Sequence, residues 1–289
     1  MNTAWLVTNA SASSTKFREI YAMLIAAGAR QGLVLEAVTN AEAIARAAAA
    51  AKLPSYAVFW DKDIRAARYL ENAGIRLFNT AAAIEACDDK FLTYARLVPY
   101  GIAMPQTLPV PKTWAPPDWT GSPFTAQAGE TLGFPLVVKE CFGSFGQQVS
   151  LARNRAELEG ILNRIAMRPA LLQQYIPSSK GRDIRIQVVG GEVIAAMRRQ
   201  SDTDFRANLT NGGRAYPYTP TLAQAEMATE VCRLLHLDFA GVDILFGAGE
   251  EPILCEVNSN AHFKNLYDCT GVNTADAIAA HLIRSMNKQ

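Results

Sequence analysis

Residues 5–79 alternate between short apolar runs and helical patterns, and this alternation restricts the fold more than any other feature of the sequence. Thr39 and Glu42 have the spacing of a capping box at the start of a helix. Strands that alternate with helices pair in parallel, because each helix returns the chain to the same end of the sheet. We therefore predict a small parallel α/β domain over residues 1–86. Its predicted strands are 5–9, 33–38, 56–60 and 75–79, and its helices are 16–31, 39–51 and 64–73.

A proline-dense stretch separates this region from most of the remaining chain. Seven of the 14 prolines lie between Pro99 and Pro123, which disfavours regular helix. We predict an extended connection here, with an edge strand near residues 106–110. Gly190 and Gly191 give the clearest hairpin signal, so the second part is predicted to be α+β within an overall α/β class. Strands are predicted there at 134–140, 148–152, 171–176, 183–189 and 192–199, and helices at 92–100, 156–167, 221–235 and 274–286.

Composition limits the function classes open to the chain. Its 289 residues suffice for two or three compact domains, and a net charge of +1 gives no basic footprint for nucleic acid or for an acidic membrane. No apolar run reaches the ~18 residues of a membrane span, and the first residues resemble a strand more than a signal peptide. The five cysteines include no C-x-x-C, which favours a reducing compartment over disulfides or zinc. We expect a cytoplasmic protein with neither a nucleic-acid nor a membrane partner.

Two carboxylates face each other in a predicted hairpin near the C-terminus. Its turn places Asp243 opposite Glu256, and Asn258 shares a strand face with Glu256 because side chains alternate along a strand. Oxygen ligands of this kind suit Mg²⁺ or Mn²⁺, whereas the alternative is an edge hairpin whose acids face solvent. His262 follows the hairpin and is a candidate for substrate contact. The two strands are residues 239–246 and 252–258.

A possible phosphate site begins at Lys139, which ends a predicted strand and precedes a glycine-containing segment, residues 141–147. Glycine turns let backbone N–H groups approach phosphate oxygens, and a lysine adds a positive charge for the same anion. An ordinary hairpin turn is the alternative, since neither a Walker A loop nor G-x-G-x-x-G is present. Further on, the strand 171–176 ends at Pro177, where a free backbone edge can bind an adenine.

Several charged residues lie between these motifs. Asp183 and Arg185 share one face of a strand and predict an ion pair. Arg198, Arg199 and Arg206 cluster in sequence around one polar loop. They can bind a carboxylate or phosphate bidentately, or they can belong to a solvated basic loop. No spacing in the chain assembles a hydrolase triad.

The order of these motifs is more specific than any one of them. It runs from a lysine strand through a glycine segment, Gln-Gln-Tyr-Ile, Asp-Ile-Arg and Arg-x-Asn to Asp…Glu-x-Asn. This order resembles the ATP-grasp superfamily and, within it, the RimK-type amino-acid (glutamate) ligases. The resemblance covers about residue 88 to the C-terminus, and residues 204–209 match the family's D-F-R-x-N-L motif. Residues 263–265 and 270–272 are also similar to LysX and to coenzyme glutamate ligases, so both assignments stay open.

The resemblance implies a fold and a set of site residues. Residues 87–289 would form a two-lobed ATP-grasp domain, with a central lobe at 87–170 and a C-terminal lobe at 171–289. The resemblance assigns catalysis to Arg206 and Arg198. It assigns two Mg²⁺ or Mn²⁺ ions to Asp243, Glu256 and Asn258. The residues implied to bind ATP are Lys90, Lys139, Gly143, Ser144, Gly146, Gln174, which stands where the family has a glutamate, Tyr175, Ile176, Asp183, Arg206 and Asn208.

The resemblance also implies a reaction. ATP would phosphorylate a carboxylate, and an amine would attack the acyl phosphate to give an amide, with ADP and phosphate released. An amino acid such as glutamate is expected as one substrate, and the other is a small molecule or the terminus of a peptide or carrier protein. We further expect a homo-oligomer, either a dimer or a tetramer. Two alternatives are a small-molecule kinase that stops after phosphoryl transfer and a nucleotide-binding regulatory module without catalysis.

Overall fold

The computed structural model describes residues 2–11, 14–49, 52–143, 146–209 and 212–287, and these residues form three β-sheets. One sheet is parallel and two are antiparallel, so the predicted mixture of α/β and α+β parts is confirmed. None of the described helices is both long and apolar enough to cross a membrane.

The first sheet is the predicted parallel one, with strand order β2-β1-β3-β4. Glu42 N donates to the Thr39 hydroxyl over 3.2 Å while Thr39 N donates to the Glu42 carboxylate over 2.8 Å, so the predicted capping box is present. The elements of this region are β1 (Asn2–Thr8), α1 (Thr15–Arg30), β2 (Leu33–Thr39), α2 (Asn40–Ala48), β3 (Tyr56–Trp60), α3 (Ile64–Asn72) and β4 (Arg76–Phe78).

Two consecutive helices, α4 (Ala81–Asp88) and α5 (Lys90–Leu97), follow the first sheet, and a 3₁₀ turn (Val98–Tyr100) extends the second. The Asp89 carboxylate separates them, since it accepts hydrogen bonds from Phe91 N and Leu92 N and so caps α5. The cap places Lys90 at the first helical position. Helix α4 was not predicted, because its alanine-rich sequence has little amphipathic pattern.

The second sheet is small and antiparallel, with order β5-β8-β6-β7. The expected edge strand is present as β5, but the proline-dense stretch also contains an unpredicted helix, α6, which Ser122 caps with Pro123 in its first turn. Strand β8 pairs with β6 and β5, so it belongs to this sheet, although the predicted lobe boundary at 170/171 places it in the next lobe. The elements are β5 (Thr107–Pro109), α6 (Pro123–Leu132), β6 (Leu136–Glu140), β7 (Val149–Ala152), α7 (Arg155–Ile165) and β8 (Ala170–Gln174).

The third sheet is antiparallel, with order β11-β10-β9-β12-β13. The predicted hairpin at Gly190 and Gly191 joins β9 to β10, and both glycines have positive φ (+58° and +83°), as a tight two-residue turn requires. Strand β11 and helix α9 were not predicted. The elements are β9 (Arg182–Val189), β10 (Glu192–Gln200), β11 (Arg214–Tyr218), α8 (Leu222–Leu234), β12 (Phe239–Phe246), β13 (Pro252–Asn258), α9 (Lys264–Thr270) and α10 (Thr274–Met286).

The first and third sheets share a hydrophobic core. Trp60, at the end of β3, stacks on Phe239 at the start of β12, with ring centroids 5.4 Å apart. The fully buried Asn79 donates to the carbonyls of Phe239 (2.8 Å) and Ser259 (3.0 Å) and accepts from Asp238 N (2.7 Å). These contacts hold the ends of β3 and β4 against the start of β12 and the residue that follows β13.

Candidate functional site

A cavity of about 410 Å³ lies where the three sheets meet. Eight basic and four acidic side chains line it, which favours a polyanionic ligand. All the predicted site residues that the structure describes line this cavity, with the exception of Arg198, and Ser144 lies outside the described residues. The basic residues are Lys16, Lys62, Lys90, Lys139, Arg182, Arg185, Arg199 and Arg206, and the acidic ones are Asp61, Asp183, Asp243 and Glu256.

Two lysines carry positive charge into one end of the cavity. Lys90 Nζ donates to the carbonyl oxygens of Gly143 (3.1 Å) and Cys141 (3.4 Å) and lies 3.7 Å from a Glu256 oxygen. Lys139 is buried in β6, and its Nζ contacts Cys255 Sγ at 3.9 Å. Among the described residues no carboxylate forms an ion pair with Lys139. The lysine charges are therefore poorly compensated in this end of the cavity.

The glycine-containing segment joins these lysines to Arg206. One guanidinium nitrogen of Arg206 donates to the carbonyls of Gly146 (2.5 Å) and Val149 (3.2 Å), while the other two hold the Asp204 carboxylate. Gly143 has a φ of +143°, and a Cβ there would lie 2.4 Å from the Gln148 side chain. Only glycine fits that position. Arg206 is thus a residue that pins the segment as well as one that lines the cavity.

The chain leaves β8 through the predicted adenine-binding segment, Gln174 to Ile176. Gln174 N donates to the Gln106 carbonyl over 2.8 Å, so this N–H is already used within the sheet. The Tyr175 ring makes an edge contact with Phe205, with centroids 6.4 Å apart. This contact ties the end of β8 to the loop that carries Arg206.

Four charged side chains form a buried network on the floor of the cavity. Arg199 holds the Asp183 carboxylate with two hydrogen bonds of 2.6 and 2.7 Å. Arg185 holds Asp243 in the same way (2.7 and 2.6 Å), and Arg199 also lies 3.0 Å from Asp243. The predicted pair of Asp183 with Arg185 does not form. Each acid instead takes the arginine directly opposite on the neighbouring strand, because such cross-strand neighbours lie closer than residues two apart along a strand.

The network controls the ionisation of its members. Burial alone would raise the pKa of Asp243, but the two adjacent guanidinium groups outweigh burial and hold that pKa below its ordinary value. Burial acts to lower the pKa of Arg199, yet the carboxylates of Asp183 and Asp243 outweigh it and raise that pKa. At Asp183 burial outweighs the adjacent Arg199 and raises the pKa of that carboxyl. The floor as a whole sets two guanidinium groups against two carboxylates.

Arg198 requires a correction. It does not line the cavity, and its guanidinium lies over the ring of Tyr216, 5.6 Å from the centroid. The reason is strand alternation, since Arg198 and Arg199 are adjacent on β10 and point to opposite faces. Arg199 is the member of the pair that reaches the site. The sequence alone did not favour this choice, because the two-residue turn pairs Val193 with Val188, a register that would set Arg198 opposite Asp183. An irregularity between Val193 and Ala195 shifts the register and places Arg199 there instead.

The three predicted metal ligands lie together on β12 and β13, with Asp243 opposite Glu256 as expected. Glu256 has only the Lys90 contact at 3.7 Å, and the buried Asn258 Nδ2 has no hydrogen-bond partner in the described part of the chain. Because the O and N of an amide side chain are interchangeable by a flip, Asn258 can offer its oxygen. Asp243 already accepts three N–H groups. No group of three His, Cys, Asp or Glu side chains suited to a metal occurs among the described residues. The all-oxygen donor set fits Mg²⁺ or Mn²⁺, with Glu256 and Asn258 the readily available ligands.

The opposite end of the cavity belongs to the first sheet and was not predicted. Asp61, directly after β3, is 8% exposed and accepts hydrogen bonds from Asn9 Nδ2 (3.1 and 3.2 Å) and Lys62 N (2.7 Å). Burial and the nearby Asp63 raise the pKa of Asp61. Tyr21, Trp60 and Asn260 line the same end.

His262 also lines this end, in agreement with its prediction as a candidate for substrate contact. Its Nε2 lies 3.1 Å from the Lys16 carbonyl, which can only accept, so Nε2 carries the proton. Its buried Nδ1 has no partner within the described ranges. Burial and the charge of Lys16 lower the pKa of His262 to about 4, so the ring is neutral at pH 7.

Sequence comparison agrees with this architecture. Residues 87–282, more than half of the chain, match the family model of the RimK-like ATP-grasp domain. The chain belongs to the RimK-like ATP-grasp family. The predicted resemblance to RimK-type ligases is thus confirmed, and with it the prediction of an amide-forming, ATP-dependent ligase.

Curated relatives and a solved structure extend the match. The chain is 38% identical to a protein of Enterobacter sp. (strain 638) named "Probable alpha-L-glutamate ligase" over 222 residues, which cover 76% of this chain and 71% of that protein. It is 35% identical to human N-acetylaspartylglutamate synthase A over 214 residues, 73% of this chain but only 53% of the human protein. A RimK domain ATP-grasp protein from Sphaerobacter thermophilus has the same fold, with a TM-score of 0.72, 22% identity and coverage of 97% and 99% of the two chains.

Proposed function

We propose that this ligase joins a carboxylate to an amine through an acyl phosphate and releases ADP and phosphate. The observation that carries the proposal is the poorly compensated positive charge of Lys90 and Lys139 beside Glu256 and Asn258. A triphosphate supplies the missing negative charge at the lysines, and the oxygen ligands lie where a cation can bridge to it.

The nucleotide would lie along the second sheet. Lys90 and Lys139 would bind its phosphates, and the backbone of Gly143 and Gly146 would approach them closely. Ser144, which lies outside the described residues, is proposed as a further ATP-binding residue. Tyr175 and Ile176 would present backbone groups to the adenine, because Gln174 N is already bonded to Gln106. Asp183 would reach the ribose only through its outer lone pairs, because Arg199 occupies both carboxylate oxygens.

Glu256 and Asn258 would hold Mg²⁺ or Mn²⁺, with Asp243 sharing its carboxylate between the metal and Arg185. We propose two ions, as in the resemblance. A divalent ion held there would supply positive charge to neutralise the phosphates during phosphoryl transfer. The protein's part is to hold these oxygens on paired strands, where their separation is set by the register of β12 and β13.

Arg206 would stabilise the charge that develops on the transferred phosphoryl group and on the tetrahedral intermediate. Its guanidinium is held by Asp204, which accepts two of its N–H groups and also lowers its freedom to turn away. Asn208, the fifth residue of the six-residue motif 204–209, also lines the cavity and would support the same phosphates. Arg198 has no such role in this proposal, because it lies outside the cavity.

L-Glutamate is proposed as the amine substrate. The names of the two reported relatives contain glutamate, one as the substrate of a ligase and one as part of the product of a synthase. The carboxylate substrate would be a small molecule or the terminus of a peptide or carrier protein. We also propose assembly as a dimer or tetramer, which light scattering of the purified protein tests.

The reaction can be tested by its products. With ATP, Mg²⁺, L-glutamate and a panel of small carboxylates, we expect one ADP and one phosphate for each amide, measured by chromatography and mass spectrometry. Hydroxylamine in place of the amine should trap the acyl phosphate as a hydroxamate, with release of phosphate. AMP and pyrophosphate as products, or ADP formed without any amide or hydroxamate, would refute the proposal.

A further inference from the structure

The strand order of the first sheet reverses between β1 and β3. The chain passes from β1 outward to β2, and then returns to β3 on the other side of β1, which gives the order β2-β1-β3-β4. Ligands of parallel sheets bind in the crevice outside the carboxyl ends of the strands at such a switch point. Asn9 follows β1 and Asp61 follows β3, and both line the cavity. The switch point thus opens into the site.

Asp61 is the acid in this cavity whose charge lacks a cation. The other buried acids, Asp183 and Asp243, are each held by arginine. Asp61 accepts only neutral amide N–H groups, and Lys62 Nζ turns away to Asp88 over 2.7 Å. Among the residues that the structure describes, Asp61 has no ion-pair partner. A carboxylate that is 8% exposed and has no counter-charge is costly, unless a ligand supplies the charge.

Hydrogen-bond donors are also scarce around Asp61. Asn260 Nδ2 donates to the Asp61 carbonyl over 2.6 Å, which fixes Asn260 Oδ1 as an acceptor, and that oxygen is buried without a partner in the described chain. The His262 Nδ1 is a second acceptor without a donor, because Nε2 carries the ring proton. This end of the cavity therefore has acceptors in excess. A group with several N–H donors and a positive charge is what it lacks.

We propose that Asp61 binds the ammonium group of the amine substrate and accepts one of its protons, so that the neutral amine attacks the acyl phosphate, forms the C–N bond and displaces phosphate. This inference rests on the proposed function. Tyr21 and Trp60 line the same end and give it an apolar wall beside Asp61. Lys16 lines the cavity as well and adds positive charge that a substrate carboxylate can meet. The proposed substrate is thus an amino acid whose ammonium group binds to Asp61.

The test is the Asp61→Asn variant, which removes the charge and keeps the shape. We expect the KM for L-glutamate to rise at least ~10-fold, because a charge-assisted contact is lost, while the KM for ATP stays within about twofold. Hydroxamate formation should persist, since hydroxylamine is largely uncharged at pH 7.5 and needs no ammonium site. A structural role of Asp61 would instead change all three measurements together.

Asp118→Asn is the matched control. Asp118 lies outside the cavity and accepts from Thr120 N over 2.9 Å, a contact that an asparagine oxygen can also make. We expect wild-type KM values for this variant. An unchanged KM for L-glutamate in a folded Asp61→Asn enzyme would overturn the inference and leave the ligase proposal standing. Absence of both hydroxamate and ADP with the wild-type enzyme would instead overturn the proposed function.

A measurement on the wild-type enzyme covers the case in which Asp61→Asn does not fold. Glutarate has the two carboxylates of L-glutamate but no ammonium group. If Asp61 binds the ammonium, glutarate should compete with L-glutamate with an inhibition constant at least ~10-fold above the KM of L-glutamate. An inhibition constant equal to or below that KM would overturn the inference without any variant.

Discussion

The floor of the cavity and its first-sheet end treat buried charge in opposite ways. On the floor, Asp183 and Asp243 are neutralised by Arg185 and Arg199 from neighbouring strands. At the first-sheet end, Asp61 has amide donors alone. Both regions are buried and both line the same cavity. The difference is that each acid on the floor has an arginine partner, whereas at the first-sheet end Asp61 has no cation partner among the described residues and two buried acceptors have no donor there.

This difference indicates that the floor maintains the shape of the site, whereas Asp61 serves to bind a substrate. A neutralised network built from three paired strands can hold the shape of the site before substrates arrive, because each charge has its partner on a rigid neighbour. A carboxylate left without a counter-charge depends on what enters the cavity. Substitutions on the floor should therefore lower the free energy of unfolding. Substitutions at Asp61 or Arg206 should weaken substrate binding or slow the reaction and change the free energy of unfolding little.

The largest effect is expected for Arg199→Met. The change keeps the volume of the side chain but leaves Asp183 buried without its two guanidinium hydrogen bonds. Breaking a buried pair in this way costs about 3–5 kcal/mol. We expect a loss of this size in the free energy of unfolding, measured by urea denaturation at pH 7.5.

Arg198→Met is the matched control for that measurement, because it removes the same group from the adjacent position on the other face of β10. Arg198 contacts the Tyr216 ring and has no acid partner in the described structure. Its loss should cost about 1 kcal/mol or less. If the two variants lost equal amounts of unfolding free energy, the floor would not be more important for stability than the residues around it.

A smaller effect, on rate, is expected for Arg206→Ala. Arg206 pairs with Asp204 at a partly exposed position, so stability should change little. A donor aimed at developing phosphoryl charge typically contributes ~10²–10³ in rate, and we expect kcat to fall at least ~100-fold while ATP still binds. Arg153→Ala, which removes an exposed partner of Glu157, is the control. A normal kcat for Arg206→Ala would show that Arg206 only holds the glycine-containing segment in place and has no part in catalysis.

The sequence predicted those features that depend on local pattern. The turn between β12 and β13 was enough to bring Asp243 near Glu256, because a hairpin turn fixes which residues of its strands meet. The exact pairing depends on an irregularity that the sequence did not reveal: the turn pairs Ile244 with Leu254, and a register shift beyond that pair sets Glu256 rather than Cys255 opposite Asp243. The choice between Arg198 and Arg199 failed, because it depends on which face of β10 meets the cavity. That face is decided by pairing with β9 and not by β10 itself. The order of motifs was enough to identify the family, but it did not predict which way an individual side chain points.

Asp61 was missed for a different reason. It lies outside the part of the chain that resembles the family, and nothing in its neighbourhood has a recognisable spacing. It reaches the site because Asn79 and the stack of Trp60 on Phe239 hold the first sheet against the third. Contacts between residues about 160–200 positions apart, such as Asn260 with Asp61, cannot be read from local patterns.

The smallest expected effect concerns His262 and the dependence of stability on pH. Its pKa is about 4 in the folded protein and about 6.5 in an unfolded chain, so between these values the unfolded state binds more protons. Stability should therefore fall as the pH drops from 7.5 to 5, and His262→Asn should remove this part of the fall, about 1–2 kcal/mol after allowance for partial exposure. Urea denaturation of both proteins at the two pH values measures it. Parallel losses in the wild type and the variant would mean that His262 protonates freely in the folded state, and that the first-sheet end is not short of donors at this ring.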